Sequence, residues 1–207
     1  MTAAYIALEG PDGVGKSSAA QALRALLRER CAHVRIRHFP TGALADEAHR
    51  TGRTLTAEDY MLDMENWLAF RPSPIEYPDT PTHAVARPDT LYILDRWVLS
   101  TAVYASLRGE PIPFRAQPTL GWLNRVPLAT FVLMPRDPEA LTDPDYGADN
   151  GTEDDYDPLR VTEAYRRIVE CALGSGTLIP ITVDRARDTP GSVAADIVER
   201  LTVTGAL

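Results

Sequence analysis

Gly10-Pro11-Asp12-Gly13-Val14-Gly15-Lys16-Ser17 fits the pattern G-x-x-x-x-G-K-[ST] at every fixed position, between the apolar run Tyr5-Ile6-Ala7-Leu8 and a stretch of helical periodicity. In that strand-to-helix context the element reads as a phosphate-binding P-loop. Its glycines allow positive φ and close backbone approach, so consecutive N–H groups can turn toward an anion. The candidate ATP-binding set is Gly10, Pro11, Asp12, Gly13, Val14, Gly15, Lys16, Ser17 and Ser18. Lys16 is placed to reach the β- and γ-phosphates and the Ser17 hydroxyl to ligate Mg²⁺, with the positive end of the following helix facing the same phosphates. The alternative is a glycine-rich turn that matches by accident.

Outward from this loop, short apolar runs alternate with helical patterns, which predicts an α/β fold with a parallel sheet covered on both faces. Strands are expected near residues 4–9, 33–38, 90–94, 129–134 and 177–183. Ala19, Leu23, Leu26 and Leu27 recur at helical spacing, so the helix after the loop is expected over about 16–30, with those leucines in the core. Prolines cluster in 72–88 and 111–127 and mark irregular connections within one domain spanning 1–207. The acidic, turn-rich stretch 142–157 reads either as the centre of a lid, bounded at about 137–160, or as an ordinary solvated loop.

A chain of 207 residues with 44% hydrophobic content suffices for one well-cored domain. Cys31 and Cys171 match no metal or C-x-x-C spacing and read as ordinary reduced thiols. No run approaches the roughly 18 apolar residues of a membrane span, and no basic-then-apolar leader opens the chain, so a cytoplasmic protein without a membrane partner is expected. A formal net charge of −8 argues against a nucleic-acid partner, because backbone affinity needs clustered Lys and Arg. A small anionic ligand remains compatible if a few arginines are focused in one cleft.

Leu91-Tyr92-Ile93-Leu94-Asp95-Arg96-Trp97 is an apolar strand that delivers a carboxylate and a guanidinium at its C-terminal end, where open parallel sheets bind ligands. Asp95 with Ser17 forms the candidate metal site, and Arg96 can grip a phosphate bidentately. The competing reading is an Asp–Arg pair that caps the next helix.

The run from Asp95 to Tyr104, D-R-W-V-L-S-T-A-V-Y, resembles the D-R-[YFW]-x-x-S-x-x-A-[YF] signature of thymidylate kinases, and Glu9 to Ser17 resembles that family's E-G-x-D-G-x-G-K-[ST]. His38-Phe39-Pro40, Phe131-Val132-Leu133-Met134-Pro135 and Ile181-Thr182-Val183-Asp184 continue the likeness along nearly the whole chain in order. The resemblance implies a P-loop NTPase fold, a five-stranded parallel sheet flanked by helices with a lid segment. It implies ATP and Mg²⁺ as cofactors, a homodimer, small-molecule nucleotides as partners, and transfer of the γ-phosphoryl to a pyrimidine deoxynucleoside 5′-monophosphate, dTMP first. It makes Lys16, Arg96 and Asp12 catalytic. Asp12 is to reach the sugar 3′-hydroxyl and Arg96 to bridge the two phosphates. Tyr104 is to pack under the deoxyribose, and Phe39 and Pro40 with Ser100 are to line the acceptor pocket. Trp67 and Arg71, at i and i+4 on one helix, match the family's stacking ring and base-reading guanidinium; spacing alone favours a core tryptophan with a surface arginine one turn along, and the resemblance reverses that preference.

Several positions depart from the family pattern. Gly13 and the lid supply no extra arginine, since 142–157 holds seven acidic residues and no Lys or Arg. Arg160, Arg166 and Arg167 are the nearest expected substitutes. Thr41 and Gly42 stand where the family has an arginine after its F-P corner, with Arg50 or Arg53 as replacements, and Ala105 stands where many bacterial relatives carry glutamine. Three further readings stay open: a kinase for a modified deoxyuridylate, a kinase for another nucleoside monophosphate or for a deoxynucleoside, the latter with Glu9 as candidate base, and a regulatory protein that binds ATP without transfer.

Overall fold

The computed structural model describes residues 4–31, 33–69, 90–113, 126–142, 156–172 and 178–204. Five strands, β1 (Ala4–Glu9), β2 (His33–His38), β3 (Thr90–Asp95), β4 (Ala129–Pro135) and β5 (Leu178–Val183), form one sheet in the order β2-β3-β1-β4-β5. Every pairing is parallel. The helices are α1 (Lys16–Leu27), α2 (Gly42–Thr51), α3 (Ala57–Ala69), α4 (Val98–Arg108), α5 (Pro158–Ala172) and α6 (Pro190–Val203), with a short 3₁₀ turn at Pro138–Thr142. This is the expected α/β architecture, with strand limits within a residue of those read from the sequence.

The sequence explains which strands are central. β3 reads Thr-Leu-Tyr-Ile-Leu-Asp and is buried along its whole length, as a strand covered on both faces must be. β2 reads His-Val-Arg-Ile-Arg-His, keeps only Val34 fully buried, and forms an edge. Alternate residues of the central strands feed opposite layers. Ile6, Leu8, Leu91 and Ile93 pack with Ala19, Leu23 and Leu27 of α1 and Ala194, Ile197 and Leu201 of α6. Tyr5, Ala7, Tyr92 and Leu94 face Met61, Met64 and Trp67 of α3. Truncating a fully buried leucine such as Leu23 to alanine is expected to cost about 2–5 kcal/mol.

Two details of α1 differ from expectation. The helix ends at Leu27, three residues before the expected limit, and Leu26 is 37% exposed. The stripe facing the sheet runs through Ala19, Ala20, Leu23 and Leu27, which leaves Leu26 on its rim. The proline clusters, Arg71 and the acidic centre of the lid lie wholly or largely outside the described residues. Among the described residues no helix is long and apolar enough to cross a membrane.

Because β1 is flanked by β3 on one side and β4 on the other, the loops leaving β1 and β3 meet at the carboxyl edge of the sheet where the strand order reverses. Ligands of doubly wound folds bind at such a switch point.

Candidate active site

The loop between β1 and α1 holds three glycines at positive φ, Gly10, Gly13 and Gly15. At Gly10, with φ of 137°, a Cβ would sit 2.2 Å from the carbonyl oxygen of Leu133, so the loop passes too close to β4 for any side chain. Gly15, with φ of 98°, is the N-cap of α1, and open space surrounds its missing Cβ. There the requirement is conformational alone. Lys16 turns back over the loop and donates to the carbonyls of Gly10 at 2.9 Å and Pro11 at 2.8 Å. Burial and the nearby Arg96 lower its ammonium pKa to about 8, against the opposing pull of Asp12, Asp95 and Glu9.

Asp12 is the hub of the site. It accepts hydrogen bonds from the Arg96 guanidinium and, at 2.7 Å, from the Tyr104 hydroxyl, and lies 3.6 Å from the Lys16 ammonium. Burial raises its carboxyl, but Lys16, Arg96 and Tyr104 together hold it below the ordinary aspartate value. Arg96 has φ of 71°, a left-handed backbone that a non-glycine residue adopts at a cost of order 1–3 kcal/mol. Its N–H donates to Leu8 O at 3.0 Å, and its guanidinium stacks 5.4 Å from the Tyr104 ring centroid. Burial would weaken its charge, yet Asp12 and Tyr104 raise its pKa further, so it stays cationic.

Asp95 closes β3 beside this cluster. Its Oδ2 accepts from the Ser17 hydroxyl at 2.7 Å and lies 3.4 Å from Nδ1 of His38. Its Oδ1 is buried and has no hydrogen-bond partner among the described residues. Burial raises this carboxyl, while His38, Ser17 and Lys16 bring it below its usual range. A hydroxyl and an ionised carboxylate with an unspent oxygen make a hard donor pair that suits a divalent cation of the Mg²⁺ type.

These groups open onto one cleft of about 820 Å³. Gly13, Gly15 and the exposed Ser18 lie along it, as do Phe39 and Pro40 at the end of β2, Ser100 and Tyr104. Of the ATP-binding set, Gly10, Pro11 and Val14 shape the loop from behind, Val14 being buried in the core under α1.

Trp67 sits in the core cluster beneath the sheet, the place its spacing alone favoured and the family resemblance did not. Its ring is 7% exposed and packs edge-on against Tyr5, Phe39 and Tyr92 at centroid distances of 6.0, 5.5 and 5.2 Å. It is a core side chain and does not line the cleft; Tyr60 and Met64 of the same helix do. The helical face that Trp67 occupies is the one buried under β1 and β3. Arg71 lies outside the described residues.

The arginines expected to replace the family's missing charges do not line the cleft. Arg53 pairs with Asp59 at 2.6 Å, Arg166 and Arg167 pair with Glu163, and Arg50 and Arg160 are exposed. Thr41 is tied through its N–H and hydroxyl to Asp63, each at 2.7 Å. Among the described residues, Arg37, Arg108 and Arg185 are additional arginines that line the cleft. Nothing in their spacing marked them, because each reaches the cleft only through the packing of its element.

Sequence reading also missed what Glu9 does. Its carboxylate is fully buried and accepts N–H bonds from Trp97 at 3.0 Å, Leu99 at 2.9 Å and Ser100 at 3.2 Å, plus the Ser100 hydroxyl. α4 has no side-chain cap of its own at Trp97, so Glu9 caps it from the neighbouring strand. Burial raises its pKa, and all its lone-pair directions toward α4 are spent. So engaged, and not among the residues lining the cleft, the carboxylate acts as the cap of α4. An acid at the end of an apolar strand was the only sequence signal for this role.

No family model matches the sequence, and no curated protein does. Solved structures do match its fold. Thymidylate kinase from Candida albicans superposes with a TM-score of 0.56 at 15% identity, over 99% of this chain and 93% of that one. Thymidylate kinase from Ehrlichia chaffeensis gives 0.55 at 16% identity, over 98% and 100%. The YorR protein from Bacillus subtilis, solved in complex with phosphorylated GDP, gives 0.60 at 18% identity, with 98% of each chain covered. The chain therefore has the fold of these proteins, the P-loop fold expected from its sequence.

Proposed function

We propose that this chain is a nucleoside monophosphate kinase that moves the γ-phosphoryl group of ATP onto a pyrimidine deoxynucleoside 5′-monophosphate, dTMP foremost. The observation that carries the reading is the Asp12–Arg96–Tyr104 cluster built directly onto the P-loop, with Lys16 3.6 Å from the same carboxylate. In phosphoryl transfer the protein mainly positions two phosphates and neutralises charge on the transferring group. An oxygen of the acceptor monophosphate attacks the γ-phosphorus, and the bond from that phosphorus to the β-phosphate oxygen breaks, leaving ADP. The acceptor phosphate is already nucleophilic, so no general base is needed. The engagement of Glu9 as a helix cap supports this acceptor class over an unphosphorylated nucleoside, whose hydroxyl would need one.

Lys16 is poised to exchange the Gly10 and Pro11 carbonyls for phosphate oxygens, and α1 presents its N-terminus to them. Ser17 and Asp95 would hold Mg²⁺, which when bound supplies charge neutralisation to the β- and γ-oxygens. Arg96 is held over Tyr104 and against Asp12, between the P-loop and α4, where it can contact donor and acceptor together. Tyr104 and Asp12 would contact the sugar, with Phe39 and Pro40 beside the acceptor. The thymidylate kinase fold of two neighbours supports a pyrimidine acceptor.

The test is coupled ADP release with ATP and Mg²⁺ against dTMP, dUMP, 5-substituted dUMP analogues, dCMP, dGMP, dAMP and thymidine. Stimulation strongest with dTMP is expected. Strongest stimulation by a purine nucleotide would replace the acceptor class. Silence across the panel with ATP still binding would make the chain a nucleotide-binding regulator.

A further inference from the structure

Behind the cleft, a chain of buried hydrogen bonds connects three elements that are distant in sequence. The Tyr165 hydroxyl, from the middle of α5, lies 2.7 Å from the Ser100 hydroxyl, and Ser100 in turn donates to the Glu9 carboxylate. Tyr165 and Glu9 are fully buried and Ser100 is 5% exposed. Glu9 sits one residue before the P-loop, and its carboxylate gathers the N–H groups of Trp97, Leu99 and Ser100. Those groups form the first turn of α4, directly after the left-handed Arg96.

The polar character of this chain calls for explanation. Tyr165 lies on the apolar stripe Val161–Tyr165–Val169, packed against Leu99, Val103 and Val132, where phenylalanine would bury the same ring without a hydroxyl to satisfy. Among the described residues the hydroxyl's hydrogen-bond partner is the side chain that fastens Glu9. Ser100 is thereby held in the rotamer that donates to the carboxylate, and the carboxylate is held where it fixes the turn after Arg96.

We propose that Tyr165 is a positioning residue for the transfer step: acting through Ser100 and Glu9, it fixes the backbone that aims Arg96. This rests on the kinase reading, and it adds that α5, the helix following the lid segment, sets the geometry of the transferring centre from outside the cleft. Tyr165 does not line the cleft, so it contacts neither nucleotide there.

The experiment is a double-mutant cycle with Tyr165→Phe and Ser100→Ala in the full chain, read by hydrogen exchange of the backbone amides at 97–101 and by acceptor-dependent turnover. Tyr165→Phe keeps the ring and its packing. It is expected to speed exchange at 97–101 and to lower kcat about five- to tenfold, the effect of roughly one hydrogen bond, with KM for ATP unchanged. In the Ser100→Ala background the same change is expected to have no further effect on either readout. Unchanged exchange at 97–101, additive effects in the two backgrounds, or a fall in kcat matched by a rise in KM for ATP would each overturn the proposal. Because exchange is read without catalysis, absence of turnover in the parent chain would fail the kinase reading while leaving the test of the hydrogen-bond chain intact.

Discussion

At the end of the cleft beside the P-loop, Lys16, Asp12 and Asp95 are each held by two neighbours: Lys16 by two loop carbonyls, Asp12 by Arg96 and Tyr104, Asp95 by Ser17 and His38. At the other end the walls come from Phe39, Pro40, Tyr60 and Met64, presented by the end of β2 and by α3, and their placement follows from how α3 packs on the sheet. The first region is dictated by local spacing along the chain. The second is dictated by tertiary packing, and the same spacing there is compatible with either a site or a core.

The largest effect expected from this contrast is at Arg96. Its replacement by alanine should reduce kcat by about 10³-fold or more while leaving ATP affinity nearly intact, as measured by steady-state kinetics and equilibrium binding. Equal loss of both would give Arg96 a structural role and blur the line between the two regions. Trp67→Ala should behave in the opposite way. As a buried aromatic it should cost about 3–5 kcal/mol in denaturant unfolding, and at a temperature where the variant stays folded the KM for dTMP should be close to that of the parent. A selective rise in that KM without loss of stability would return Trp67 to the acceptor pocket.

The glycines sharpen the comparison within the P-loop end itself. Gly10→Ala must move the Leu133 carbonyl, whereas Gly15→Ala meets only an unfavourable backbone conformation. Gly10→Ala should therefore be the less stable of the two by about 1–3 kcal/mol in thermal or denaturant unfolding. The smallest effect is in pH. Because burial lowers the Lys16 pKa to about 8 in the free protein, the protonated form that attracts phosphate is lost as pH rises through that value. kcat/KM for ATP should fall above about pH 8, while kcat, measured with the phosphates already bound, should hold to higher pH. A parallel fall of both would mean that Lys16 titrates in the complex as well.

How much of this was legible in the sequence follows the same division. The order of strands and helices, the P-loop, and the pairing of Ser17 with Asp95 were readable because each is fixed by local pattern or by the rule that ligands gather at the carboxyl edge of a parallel sheet. Leu26 was misplaced because helical spacing alone does not say which residue sits at the centre of a stripe and which at its rim, and at Trp67 spacing pointed to the core while the family likeness pointed to the acceptor pocket. Arg37, Arg108 and Arg185 were missed since only the packed structure turns them into the cleft. Glu9 and Tyr165 were missed for a related reason: an acid at a strand end and a tyrosine on an apolar stripe become one hydrogen-bonded chain only when β1, α4 and α5 meet.

Transfer of a phosphoryl group between two nucleotides in this cleft is checked by following the label from [γ-³²P]ATP in the presence of Mg²⁺ and dTMP. The label is expected in dTDP, in step with ADP formation and abolished by Arg96→Ala. Label released only as inorganic phosphate, or retained in ATP whatever monophosphate is supplied, would contradict it.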